Sequence, residues 1–122
     1  MIKRNKEKIK KYGFAWAIVG GKIEYGEHSS EAIIREIKEE INVDLPRENL
    51  ALLYVQEDPN WNNIAHVAFF IYGAVLDETS KINLNEEADE YAWFDVHNLP
   101  ENRCSDDILS MQKAIKKIFN NK

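Results

Sequence analysis

The sequence has one cysteine, three prolines and five glycines among 122 residues, and each scarcity removes a class of protein. Cys104 alone cannot close an internal disulfide, which excludes a cystine-stapled scaffold and makes a reducing cytoplasm the expected compartment. So few glycines and prolines exclude collagen-like and low-complexity segments. No apolar run approaches the roughly 20 residues of a membrane span, so no membrane partner is expected. Met1-Ile2-Lys3-Arg4-Asn5-Lys6 is basic with no apolar stretch behind it, and no secretory signal is expected. A basic surplus is also lacking. The formal net charge is −5, a poor basis for gripping nucleic-acid phosphates, so no stable nucleic-acid complex is expected. What remains is a single domain over residues 1–122, large enough to bury a core from a chain that is 44% apolar.

The charge is unevenly spread. Residues 3–11 hold six Lys or Arg against Glu7 alone, whereas acids cluster at Glu36-Glu39-Glu40, Glu57-Asp58 and Glu86-Glu87-Asp89-Glu90. A solvated surface accounts for most such clusters, and divalent cations are the competing explanation.

Local patterns place these residues on elements. Residues 14–19 form an apolar run that reads as a buried strand ended by Gly20-Gly21. Residues 29–41 read as a helix, with Ser29 or Ser30 as N-cap and Ile33, Ile37 and Ile41 as its core stripe. Strands are predicted at 50–57, at 65–75 (apolar enough to be central in a sheet) and at 91–95, with a turn at Asp58-Pro59-Asn60. A last helix opens at Ser105-Asp106-Asp107 and buries Ile108, Met111, Ile115, Ile118 and Phe119. Strands interleaved with helices predict a layered α/β or α+β domain.

The segment that points to chemistry is Gly20-Gly21-Lys22-Ile23-Glu24-Tyr25-Gly26-Glu27 together with Arg35-Glu36-Ile37-Lys38-Glu39-Glu40. Glu36, Glu39 and Glu40 stand at i, i+3 and i+4, on one helix face with Cβ atoms about 5–6 Å apart. Such crowding of like charge costs a few tenths of a kcal/mol per pair unless it is compensated. Arg35 is one available partner and a divalent cation is another. Hard cations such as Mg²⁺ and Mn²⁺ take oxygen ligands and keep positions open for water and phosphate. The glycines allow sharp turns and can leave a carbonyl facing the same ion. Taken singly, each residue fits an ordinary loop and a charged surface helix.

The full spacing resembles the signature of the Nudix hydrolase family, G-x5-E-x7-R-E-U-x-E-E-x-G-U, where U is bulky and aliphatic. Gly21, Glu27, Arg35, Glu36, Ile37, Glu39, Glu40 and Val43 match across residues 21–43; Asn42 replaces the last Gly. Asn is the other residue that accepts a left-handed helix cap, so the departure is mild. Val19-Gly20-Gly21 stands where the family usually has Pro-Gly-Gly. Trp93-Phe94 and Leu99-Pro100 are similar to the family's late strand and the turn into its terminal helix.

The resemblance implies an α/β fold, a Nudix-type α/β/α sandwich with a mixed central sheet. It implies Mg²⁺- or Mn²⁺-dependent hydrolysis of a diphosphate linkage in a nucleoside diphosphate derivative, and so a small-molecule nucleotide as partner. By the same resemblance Glu36, Glu39, Glu40 and the Gly21 carbonyl are metal ligands, with Arg35 and Glu27 holding them in place. Glu87 is a further ligand or base, with Glu86 and Glu90 as rivals, and Glu36 or Glu87 helps deprotonate water. Pro59, sixteen residues after Val43, resembles a marker of the family's ADP-ribose pyrophosphatases. Asn102 and the Gly-Gly-Lys-Ile-Glu run look like MutT-type nucleoside triphosphate pyrophosphohydrolases, in which an asparagine reads the base. A nucleotide-binding module without hydrolysis is the alternative, and the three retained carboxylates argue against it. Members usually carry a strand or hairpin ahead of the pair that Lys3-Arg4 resembles, so the usual N-terminal strand is expected to be lacking. Either the sheet tolerates the loss, or the domain starts earlier than residue 1, or a second copy covers the open edge as a homodimer.

Overall fold

The computed structural model describes residues 1–13, 15–61, 63–77, 79–103 and 116. The predicted last helix, apart from Lys116, and Cys104 lie outside the described residues.

The chain opens with strand β1 (Ile2–Arg4) and helix α1 (Lys6–Tyr12). The Asn5 side chain caps α1 by accepting from the Lys8 N–H at 2.9 Å, and Gly13 ends it at φ 86°, a left-handed conformation that glycine adopts without strain. Strand β2 covers Trp16–Ala17, and helix α2 covers Ser29–Ile41. A 3₁₀ turn (Arg47–Asn49) leads into the hairpin of β3 (Leu50–Trp61) and β4 (Ala65–Ala74), and β5 is Ala88–Tyr91.

β1 lies between β2 and β5 and is antiparallel to both, with Ile2 opposite Ala17 on one side and Tyr91 on the other. β3 and β4 form a second, separate antiparallel sheet. Trp16 and Arg103 form an isolated parallel bridge. The α/β class is as expected, and the expected shortage at the N-terminus takes a specific form. Lys3 and Arg4 lie in the central strand of the first sheet. Among the described residues, no strand joins the second edge of β5 or β4.

The α2 stripe packs as its spacing predicts. Ile37 and Ile41 are buried with Ile2, Val43, Leu45 and Ala88, with Ile33 partly buried against them. Each buried isoleucine, leucine or valine among them contributes about 2 kcal/mol. Asn42 adopts φ 57°, ψ 39°, the left-handed cap that its place in the motif requires.

Several boundaries differ from the sequence reading. The N-cap of α2 is His28, whose N–H donates to Glu31 Oε1 at 3.2 Å, because the Ser29 hydroxyl is bonded to the Tyr72 hydroxyl at 2.7 Å. β3 runs through Asp58-Pro59-Asn60 instead of turning there. The ladder is irregular between Asp58 and Trp61, which accommodates the proline, and the turn falls at Asn63, φ 60°. Among the described residues β4 is paired on one side only, with β3, and is not central. The late strand ends at Tyr91, leaving Trp93 74% exposed. The strand expected at 14–19 shortens to two residues, and Ile18 faces outward.

Candidate active site

An α-helix leaves its last four carbonyls without partners. In α2 all four are satisfied, and three of the partners come from a distant segment. Lys38 O accepts from the Asn42 N–H at 3.1 Å and Ile41 O from the Asn83 N–H at 2.9 Å. Asn85 takes the other two, its N–H on Glu40 O at 3.3 Å and its Nδ2 on Glu39 O at 3.1 Å. Asn85 Oδ1 then accepts from the Glu87 N–H at 3.0 Å. Capping α2 therefore draws Glu87 toward the end of the helix that bears Glu36, Glu39 and Glu40.

Glu40 is 8% exposed, and its Oε2 accepts from the Gly20 N–H at 3.1 Å. Among the described residues no cation lies within ion-pair distance of it. Burial pushes its carboxyl up to about 7; the Gly20 N–H works against that shift, the charges of Glu36 and Glu87 add to it, and Lys8 opposes it. Glu36 lies against Gly21 so closely that a Cβ there would overlap its carboxylate.

Arg35 gathers the motif from the other side. Its Nε and Nη2 donate to the two Glu27 oxygens at 3.2 and 2.8 Å, a bidentate pair. Nη1 reaches Glu36 at 2.9 Å and Glu39 at 3.3 Å, and Nη2 also donates to Lys22 O at 2.9 Å. The guanidinium, helped by the Glu24 N–H, holds the Glu27 carboxyl below the usual range, and Glu27 in turn secures the positive charge of Arg35. Glu39 is the outermost of the three helix carboxylates, with its side chain 54% exposed.

Glu87 is paired with Lys8 at 2.9 Å, and Glu90 in β5 with Lys3 at 3.7 Å. Of these acids, Glu87 is the one whose N–H is bonded to Asn85, the residue that also binds Glu40 O. Asn102 is occupied in part: its Oδ1 accepts from the Ala15 N–H at 3.2 Å and its carbonyl from the Trp16 N–H at 2.9 Å. Pro59 sits toward the tip of the hairpin, about 30 Å along β3 from Leu50. The sequence reading missed Lys8, Asn5 and Asn85. The N-cap pattern at Asn5 was visible, but nothing local announces that Asn85 closes a helix more than forty residues away.

The donor set is all oxygen, as hard divalent cations require. Among the described residues no three acidic side chains form a ready-made cage; Arg35 is paired with Glu36 and Lys8 with Glu87. Glu40, buried beside Glu36 and Glu87 without a paired cation, is the group that calls for an added positive charge. In donor chemistry, though not as a preformed cage, these oxygens suit such an ion.

A family model described as the NUDIX domain matches residues 1–114. An ADP-ribose pyrophosphatase of Methanocaldococcus jannaschii is 33% identical over 102 residues, 83% of this chain and 56% of that protein. The nucleoside triphosphatase NudI of Escherichia coli K12 is 30% identical over 91 residues, 69% of this chain and 64% of that one. The chain thus spans somewhat more than half the length of these curated relatives. A MutT NUDIX hydrolase from Burkholderia pseudomallei superposes with a TM-score of 0.72 at 25% identity, covering 91% of this chain and 83% of that one. A MutT/nudix family protein from Enterococcus faecalis shares the fold, with a TM-score of 0.69 at 21% identity over 85% of this chain and 49% of that one.

Proposed function

The chain belongs to the Nudix family, and from that premise we propose that it hydrolyses a diphosphate linkage in a nucleoside diphosphate derivative, with Mg²⁺ or Mn²⁺ as cofactor. The supporting observation is Glu40, a buried carboxylate beside two other acids with no cation bonded to it among the described residues. Glu36, Glu39, Glu40, Glu87 and the Gly21 carbonyl are the proposed ligands. A bound divalent cation supplies positive charge to the phosphates and makes water acidic enough to attack near neutral pH. The chain's own residues do the rest. Glu36 or Glu87 accepts the proton of the attacking water, and Arg35, braced by Glu27, keeps Glu36 and Glu39 in place. Water adds to one phosphorus and the bridging P–O bond breaks.

Two substrate classes share this chemistry, a (deoxy)nucleoside triphosphate and ADP-ribose or another nucleotide sugar. Asn102, whose NH₂ group is not used in holding Ala15, is the proposed base-side contact for the first, and Pro59 for the second. The test is release of phosphate from deoxynucleoside triphosphates, ADP-ribose and sugar nucleotides with Mg²⁺ or Mn²⁺, with phosphatase coupling to reveal monophosphate products. Hydrolysis of one class that is lost in Glu40→Gln supports the reading. Binding without hydrolysis across the whole panel overturns it in favour of a regulatory binding module.

We also propose that the domain works in the cytoplasm as a homodimer. Among the described residues no helix is long and apolar enough to cross a membrane. An apolar groove of about 830 Å³ runs between the two sheets, lined by Ile18, Ile33, Phe70, Tyr91 and Trp93 among others. The second edges of β4 and β5, unpaired among the described residues, accompany it, and a second copy is the occupant we propose.

A further inference from the structure

We propose that Lys8 is an exchangeable counter-ion: it holds Glu87 while the carboxylate cluster lacks a cation, and passes to a phosphate oxygen of the substrate once a cation takes Glu87. The inference rests on the reading of that cluster as a cation-dependent diphosphate site.

The pair is built in and is not a chance meeting of two surface chains. Asn5 binds both partners' segments at once. Its Oδ1 accepts from the Lys8 N–H at 2.9 Å, its own N–H donates to Glu87 O at 3.0 Å, and its Nδ2 donates to Glu86 O at 3.0 Å. The backbones of Lys8 and Glu87 are therefore registered to each other through one residue. Asn85 fixes the same turn to the end of α2. Between these two clips the ammonium meets the carboxylate at 2.9 Å, with both side chains about one-third to two-fifths exposed. Two other lysines of the basic stretch are engaged elsewhere, Lys3 with Glu90 and Lys11 over the Tyr12 ring.

Asn85 binds Glu40 O through its N–H and the Glu87 N–H through its Oδ1, which brings the Lys8–Glu87 pair to the end of the helix that bears the cluster. Were Glu40 and Glu87 to hold a divalent cation, Glu87 would give up its pairing with the Lys8 ammonium, which like charge would turn outward. A lysine is suited to the exchange, since its charge rides on a flexible four-carbon stem with three donors free to turn. A diphosphate drawn to the cation brings anionic oxygens to the same place. Lys8 thus has an anion to pair with both before and after the site is loaded, and no covalent step is involved.

The test uses the full chain and two variants, Lys8→Met, which keeps the length of the stem without the charge, and Lys8→Arg, which keeps the charge. Mn²⁺ affinity is read without substrate by electron paramagnetic resonance. The expected results for Lys8→Met are Mn²⁺ binding about tenfold tighter and, at saturating Mn²⁺, a KM raised about tenfold with kcat altered less than threefold. Lys8→Arg restores both values toward wild type. Weaker or unchanged Mn²⁺ binding in Lys8→Met overturns the proposal, as does an unchanged KM; weaker binding makes Lys8 a mere support for Glu87. Glu40→Gln separates the two levels. If it binds Mn²⁺ as wild type does, the cluster reading itself fails; if it loses Mn²⁺ while Lys8→Met changes nothing, only the role of Lys8 fails.

Discussion

Gly21 and Glu36 are in such close approach that the glycine's missing side chain is the space the carboxylate occupies. The backbone at Gly21 is not left-handed, so alanine is conformationally acceptable there and the conflict is purely one of space. The side chain that must yield is the far end of Glu36, which Arg35 holds. Gly21→Ala is therefore expected to leave the thermal midpoint within a few degrees of wild type. Mn²⁺ affinity should weaken about tenfold and kcat/KM should fall about 10–100-fold, as for displaced ligand supports. A calorimetric scan beside a Mn²⁺ titration checks both halves.

Arg35 serves Glu27, Glu36, Glu39 and Lys22 O from one planar fork. A lysine at that position keeps the charge but cannot reproduce the bidentate geometry. Arg35→Lys should lower kcat/KM about 10–100-fold while leaving far-ultraviolet circular dichroism unchanged. Activity within twofold of wild type would show that the charge alone suffices.

The buried carboxyl of Glu40 makes stability depend on pH in a definite direction. Its folded-state value of about 7 lies above the ordinary 4.5, so the folded chain keeps this proton longer than the unfolded chain does. The contribution of this group is complete below pH 4.5 and is lost as pH rises through 7, by about 2 kcal/mol after allowance for solvent screening. Without divalent cation, the thermal midpoint should fall between pH 5 and 7.5. Saturating Mg²⁺ should offset that fall, because cation binding favours the deprotonated form. In Glu40→Gln both the fall and the Mg²⁺ effect should vanish.

Asn85 closes two carbonyls of α2 and positions Glu87. Asn85→Ala removes the side-chain bonds to Glu39 O and the Glu87 N–H, at a cost of about 1–2 kcal/mol in urea unfolding. It should also weaken Mn²⁺ binding, whereas Asn83→Ala, which leaves the Asn83 backbone bond in place, should not. Equal Mn²⁺ affinity in all three proteins would separate Glu87 from the cation site.

The apolar groove and the open edges of β4 and β5 predict association. Light scattering at micromolar concentration should report two chains per particle, and Phe70→Lys, a charge on the groove lining, should return the particle to one. A single chain in the wild type would sink the dimer.

The helix that bears the motif was legible apart from its N-cap, which is His28 and not Ser29 or Ser30. Its bounds, its isoleucine stripe and the left-handed Asn42 all follow from interactions within a few residues, the range over which a sequence pattern speaks directly. Strands were less legible. The apolar runs at 14–19 and 65–75 read as buried and central, yet among the described residues β2 keeps two residues and β4 finds one partner, since pairing depends on segments far away in the chain. Helix α1 passed unnoticed beneath its lysines, although Asn5 and Gly13 mark both its ends.

The few cysteines, prolines and glycines, the acidic balance and the spacing from Gly21 to Val43 determined the class of domain and the carboxylates of α2. Tertiary structure alone decided that Asn85 ties the Glu87 backbone to the end of α2 and that Lys8 stands opposite the Glu87 carboxylate. The physical reason is that orphan carbonyls at the end of α2 and the cap of α1 are satisfied by Asn85 and Asn5, bonds between residues about forty and eighty positions apart. Contacts at that separation leave no local period in a sequence.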